Sequence, residues 1–247
     1  MKKLTQLILS MLILSSAFAN SQLSSSIFHI APWGYRNANG DIAGLEYEII
    51  KEIEKDIGEP IKINLVPYNR MIYQLKNGSS DFSIFFRSPK SEESAEPLVK
   101  WGSLDIIVIT KQGNPIKDYD DLKGQKIGVR LGGFFDKRFD NDKQLYKVTQ
   151  RDYAECIEKF KTGKLDAVIG TAATLYYELQ KQNVPIDSLA KPYFIGQKED
   201  WLHFSRLSTN KDKKDKIKAS VEKLIKNGTF QRIFSKYLPK KWLRVEN

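Results

Sequence analysis

Residues 61–86, IKINLVPYNRMIYQLKNGSSDFSIFF, hold the reading on which the fold turns. Ile61, Ile63 and Leu65 alternate with Lys62 and Asn64, the two-residue period of a strand with one buried face. Asn69 is placed to cap a short helix carrying Ile72 and Leu75, and Gly78 stops it. Phe82 to Phe86 comes next as a mostly apolar run, a strand buried on both faces. Toward the N-terminus, Ile27-Phe28-His29-Ile30-Ala31 reads as a strand. Residues 45–57 read as a helix with Ile49, Ile50, Ile53 and Ile57 on one face, stopped by Gly58 and Pro60. This order predicts an α/β fold in which helices cover a parallel sheet, and residues 105–110 read as one more buried strand.

A second series begins near Leu122: a strand over 126–131, a helix after Phe134, a strand over 145–149, a helix over 152–162 and a strand over 166–170. One phrase is nearly shared by the two series. Leu75-Lys76-Asn77-Gly78-Ser79-Ser80-Asp81-Phe82 matches Phe160-Lys161-Thr162-Gly163-Lys164-Leu165-Asp166-Ala167, each a helix end, a glycine stop, an aspartate and a buried strand. The repeat of the whole order predicts two similar α/β units. The chain then returns to a strand over 201–205 and two amphipathic helices. Ile217, Val221, Leu224 and Ile225 form one stripe, and Phe230, Ile233, Phe234, Tyr237 and Leu238 the other; both are expected to dock on a sheet.

The 247 residues carry 40 Lys plus Arg against 30 Asp plus Glu, and 41% are hydrophobic, enough for a packed core. Lys2, Lys3, the apolar run 7–14 and Ala17-Phe18-Ala19 have the order of a secretory signal cut after residue 19. No cysteine succeeds those small residues, so the exported form is expected to lack a lipid anchor. Beyond the signal, basic and acidic residues are interspersed, which argues against a nucleic-acid partner. The single cysteine, Cys156, permits no intrachain disulfide and falls in a helical pattern, where a small buried hydrophobe is expected.

These segments resemble a known family, the periplasmic solute-binding proteins of the polar amino acid type (family 3), which deliver ligands to ABC importers. The resemblance rests on Ala31-Pro32-Trp33-Gly34-Tyr35 followed by Asn39-Gly40-Asp41-Ile42-Ala43-Gly44-Leu45-Glu46, on 75–81, on Tyr119-Asp120-Asp121-Leu122-Lys123-Gly124-Gln125-Lys126-Ile127-Gly128-Val129, and on Asn227-Gly228-Thr229-Phe230-Gln231-Arg232-Ile233-Phe234-Ser235-Lys236-Tyr237. It implies a two-lobed periplasmic-binding-protein fold of type II, each lobe a mostly parallel sheet flanked by helices, with two crossing strands as the hinge. The expected division is a signal over 1–19, a first lobe over 20–110, a second over 111–198 and a return to the first over 199–247.

In open parallel sheets, ligands bind beyond the carboxyl ends of the strands. Those positions carry Trp33 and Tyr35, Tyr68, Arg87, the turn Gly132-Gly133-Phe134, and Thr171. Together they offer aromatic walls, one guanidinium for a carboxylate, backbone N–H groups for an anion at a helix start, and a hydroxyl. Each has another reading: aromatic packing for Trp33, Tyr35 and Tyr68, an ion pair with Glu92 or Glu93 for Arg87, a tight turn for the glycines, a helix cap for Thr171. The chain also departs from the family. Ser88-Pro89-Lys90-Ser91 puts Ser91 where the resemblance implies the arginine for the α-carboxylate, and Thr171 stands where it implies the aspartate for the α-amino group.

The expected function is binding of a small polar or anionic solute, amino-acid-like or a small carboxylate, by lobe closure. The expected setting is the periplasm, as a monomer without metal or cofactor, with an ABC permease as partner. Two other readings are an enzyme on the same scaffold and a soluble sensory module. For the enzyme, His29 and His203 both fall in predicted strands, no metal-ligand spacing occurs, and the glycine pair has no serine or cysteine nucleophile beside it. Glu46 and Glu48 are the carboxylates that could serve as acids, with surface or hinge roles as the alternative.

Overall fold

The computed structural model describes residues 22–237. The proposed signal and Leu238 lie outside them. Strand β1 spans Leu23–Phe28, and a two-residue hairpin of β2 (Tyr35–Arg36) and β3 (Ile42–Ala43) leads into α1 (Leu45–Ile57). Ile49, Ile50, Ile53 and Ile57 of α1 are all buried, as their spacing predicts, and Gly58 ends the helix in the left-handed conformation. Strand β4 (Ile61–Val66) and helix α2 (Tyr68–Asn77) come next. The residue at the N-terminus of α2 is Pro67, whose carbonyl accepts from Arg70 and Met71; Asn69, expected to be the cap, is already inside the helix. A proline there presets the backbone for helix entry and removes a donor that would have no partner. His29 is exposed in a bend just past β1 and not in the strand, whereas His203 is buried in its strand.

The next elements are β5 (Phe82–Phe86), α3 (Pro89–Ser94), the long β6 (Glu96–Thr110), β7 (Lys126–Arg130), α4 (Lys137–Asn141) and β8 (Tyr146–Gln150). After them come α5 (Tyr153–Lys161), β9 (Ala167–Thr171), α6 (Ala172–Lys181), β10 (Tyr193–Phe204), α7 (Lys214–Lys226) and α8 (Thr229–Phe234). The main sheet has the order β4-β1-β5-β10-β6-β9-β7-β8. Strand β1 runs parallel to β4 and β5, and β7 runs parallel to β8 and β9. Between these two parallel triplets, β6 and β10 pair antiparallel along their whole length, from Glu96↔Phe204 to Val108↔Tyr193. Strand β10 meets β5 through Asp200–Phe204, and β6 meets β9 through Ile106–Thr110. Each long strand therefore starts in one half of the sheet and ends in the other, which is how the chain crosses twice between two α/β units.

The repeated phrase does the same work in both halves. Asp81 donates its N–H to the Ser24 carbonyl (3.0 Å), and its carboxylate accepts from the Ser24 N–H (2.7 Å). Asp166 makes the same pair of bonds with Lys126, at 3.0 and 2.8 Å. In each half the aspartate locks the start of one strand onto its parallel neighbour, after a left-handed glycine, Gly78 or Gly163, has closed the preceding helix. Gly78 meets a second demand, since a Cβ there would stand 2.3 Å from the Leu207 carbonyl oxygen.

One large apolar core extends from α1, α7 and α8 across the sheet to Cys156, Ile157 and Phe160, and a smaller one gathers Ile106, Leu122, Ile127 and Phe139. Trp101 packs edge-on against Phe230 and Phe234, so the last helices dock on β6. Cys156 is buried and free, and burial pushes its thiol up to about 12, leaving it protonated and inert at neutral pH.

Candidate functional site

The carboxyl ends of β1, β4 and β5 face those of β7, β8 and β9 across the crossing strands. Between the halves lies a cavity of about 380 Å³. One wall comes from the segment after β1, including His29, Ile30 and Tyr35; the other comes from Arg130, Asp152, Tyr153, Tyr177 and Glu178. Tyr35 and Tyr177 meet across the gap with ring centroids 5.4 Å apart. Trp33 also joins the halves: its buried indole N–H donates to the Thr174 hydroxyl at 3.0 Å.

Arg130 is the last residue of β7 and half-buried. Among the described residues no side-chain hydrogen bond or ion pair holds its guanidinium, though its charge is felt at Asp152 and Tyr153. Asp152 caps α5 by accepting from the Glu155 N–H. The Tyr153 phenol is raised far above its ordinary value by burial, against the pull of Arg130. Glu178, on α6, is 6% exposed, and its Oε2 has no hydrogen-bond partner. Burial raises its carboxyl, Lys181 opposes that, and Asp152 adds to it. The cavity thus presents the half-buried Arg130 guanidinium, the exposed Lys181 ammonium at its edge, and a buried carboxyl with an open oxygen.

Of the residues expected at the site, Tyr35 lines this cavity and Trp33 stands behind it. Thr171 ends β9 and caps α6, accepting from the Thr174 N–H and donating to the Thr174 hydroxyl at 2.7 Å, so its oxygen serves the helix. Tyr68 opens α2 and packs edge-on between Phe28 and Phe85, centroids 6.0 and 6.3 Å away. Arg87 does not line the cavity: its Nε donates to Glu92 at 2.6 Å, and the guanidinium lies 4.8 Å over the Trp201 ring, on the exposed surface. Gly132 and Gly133 do not open a helix either. The Gly133 N–H is spent in a turn on the Arg130 carbonyl (2.8 Å), and α4 starts further on, where Asp136 accepts from Arg138 and Phe139. Phe134 projects from that turn, 66% exposed. Ser91 is buried and closes a reciprocal cap with Ser88, so nothing at that position reaches toward a ligand.

A second group of carboxyls joins Glu46, one of the two acids the sequence singles out, to Asp200, which it does not. Glu46, in the first turn of α1, is 1% exposed with neither oxygen hydrogen-bonded, and Asp200, on β10, is 2% exposed with Oδ1 open. Burial raises Glu46 well above the ordinary carboxylate range, and Asp200 raises it further. Asp200 is itself pushed up to about 7 by burial, against the N–H groups of Trp101 and Trp201. Glu48 differs: it accepts from the Tyr237 hydroxyl at 2.6 Å and pairs with Lys236. Arg130 lies outside the sequence expectation because that expectation starts past the end of each strand, and Arg130 is itself the last residue of β7; Glu178 sits on the buried face of α6 with Leu175 and Leu179, where a lone acid in the sequence gives no sign of burial.

Residues 28–240 match the family model described as bacterial extracellular solute-binding proteins, family 3. The chain is 23% identical to the probable amino-acid-binding protein YxeM of Bacillus subtilis, over 96% of this chain and 95% of that protein. It is 24% identical to the L-cystine-binding protein TcyJ of Escherichia coli, over 83% of this chain and 78% of the other. Among solved structures it is similar in fold to the arginine-, lysine-, histidine-binding protein ArtJ from Geobacillus stearothermophilus, with a TM-score of 0.67, 19% identity and coverage of 89% and 96%. These relatives are all named as binding proteins, and no helix among the described residues is long and apolar enough to cross a membrane.

Proposed function

The chain belongs to the bacterial extracellular solute-binding proteins of family 3, and from that premise we propose that it clasps a small carboxylate-bearing solute of amino-acid type in the cavity between the halves of its sheet. Arg130 takes the carboxylate, and Glu178, with Asp152 behind it, faces an amino group. Tyr35 and Tyr177 form the walls that meet when the halves close. The two charges that Ser91 and Thr171 do not supply then come from other positions on the second half. The observation that carries this reading is a half-buried guanidinium without a side-chain partner, lining an interlobe cavity that also holds a buried carboxyl with an open oxygen.

Closure around the solute shifts an open-closed equilibrium, and the closed form is what an ABC permease reads. On this reading the protein works as a monomer in the periplasm after its signal is removed, without a lipid anchor and without catalysis. The test is a thermal-shift screen of the mature chain against amino acids, small carboxylates, amines and short peptides, followed by equilibrium titration of the best solute. Arg130→Ala is expected to weaken binding by about ten- to a hundredfold, the range for a lost charge-assisted hydrogen bond. Equal affinity of the wild type and a folded Arg130→Ala protein would place the carboxylate receptor elsewhere.

A further inference from the structure

Lys198 pairs in register with Leu104, in the stretch of β10 between its contact with β5 and the point where β6 meets β9. Its ammonium lies 5.2 Å from the ring centroid of Phe86, at the end of β5, and 4.8 Å from that of Phe134, in the turn after β7. It also donates to the Phe134 backbone carbonyl. The two rings come from opposite halves of the sheet. Asp136 and Asp140 add negative charge, and Asp136 reaches onto β10, its Oδ2 3.7 Å from where a Cβ on Gly196 would stand. Burial lowers the pKa of Lys198 from its ordinary value while these two carboxylates oppose the change. Two aromatic rings, a carbonyl acceptor and nearby carboxylates are the chemistry that receives an organic cation.

We propose that Phe86 and Phe134, with the Phe134 carbonyl and the Asp136 and Asp140 carboxylates, form a cation receptor between the two halves that Lys198 fills from within the chain. Lys198 thereby ties the end of β5 to the turn after β7, so the filled receptor is a fixed contact between the two halves.

Removing the occupant tests the receptor. Lys198→Ala leaves a space shaped for a short alkylammonium, so n-propylammonium chloride is expected to raise the melting temperature of this variant in a saturable way, beyond the effect of equal sodium chloride, and to leave the wild type unmoved. The response is expected to vanish in the Lys198→Ala, Phe134→Leu double variant. No propylammonium response in a folded Lys198→Ala protein, or an equal response in the wild type, overturns the receptor. Should Lys198→Ala not fold, Phe134→Leu alone decides, because Phe134 is exposed: peptide mapping after acetic anhydride treatment should show Lys198 acylated faster than in the wild type, and an unchanged rate overturns the proposal. The propylammonium response needs no solute in the cavity around Arg130, so it separates failure of the receptor from failure of the solute-binding reading.

Discussion

The buried carboxyls of Glu46 and Asp200 contribute stability that is lost as pH rises from the acid range toward neutrality. Asp200 keeps its proton in the folded chain up to about pH 7, whereas its ordinary value is 3.8. Between those values the folded state binds more protons than the unfolded state, and stability declines with pH wherever that holds. The contribution is complete below the ordinary carboxylate range, is lost progressively from about pH 4 to pH 7, and is flat above. The difference between 3.8 and about 7 corresponds to roughly 4 kcal/mol, at about 1.36 kcal/mol for each tenfold change in proton affinity. Glu46 acts in the same direction, and the two titrate as a coupled pair. Asp200→Asn mimics the protonated acid without its titration. Urea unfolding of the wild type and the variant, at steps from pH 4 to pH 8, should show the variant free of most of this decline, with the two proteins closest at the acid end and the variant more stable by a few kcal/mol at pH 8. Parallel stability curves for the two proteins across the whole range would refute the reasoning, because the slope would then originate elsewhere.

Asp81→Ala should cost about 1 to 3 kcal/mol in urea unfolding, the cost of leaving a buried polar group unsatisfied, since the buried carboxylate accepts from Ser24, Ser208 and Asn210. Arg87→Ala should change stability by no more than about 1 kcal/mol, its partner Glu92 being exposed, and should leave solute affinity within about twofold of wild type; a tenfold loss in calorimetric titration would return Arg87 to the binding site. Trp33→Phe removes the donor to Thr174 but keeps most of the buried ring. It should destabilise the chain by about 1 kcal/mol and weaken solute binding by favouring the open form, seen as a larger radius in solution scattering.

Much of the scaffold was legible in the sequence because its elements are short and locally punctuated. Residues 45–57 and 82–86 were read to the residue, since each is bounded by glycine or a polar turn and filled by an apolar period. The shared phrase around Asp81 and Asp166 announced the two units, because one local problem, fastening a strand start to its parallel neighbour, has the same chemical solution twice. The long strands β6 and β10 were seen only at one end each. Their middle segments, where Gly102, Ser103 and Leu104 pair with Asp200, Glu199 and Lys198, carry neither the alternation nor the apolar run of a strand, because they bridge the two halves.

The site was less legible for the same reason that it is a site: it is assembled from residues far apart in the chain. Sequence could name the residues just past the end of each strand, and of these Tyr35 lines the cavity between the halves. It could not weigh Arg87 against Arg130, because the choice depends on which guanidinium already has a partner, and Glu92 reaches Arg87 only once α3 has folded beside β5. Nor could it foresee Lys198 between Phe86 and Phe134 or Glu46 buried with Asp200. Burial and pairing of charged groups are set by which elements pack together, and that is a property of the tertiary structure: the low-dielectric surroundings that raise a carboxyl or enclose an ammonium exist only after distant segments have excluded water from around it.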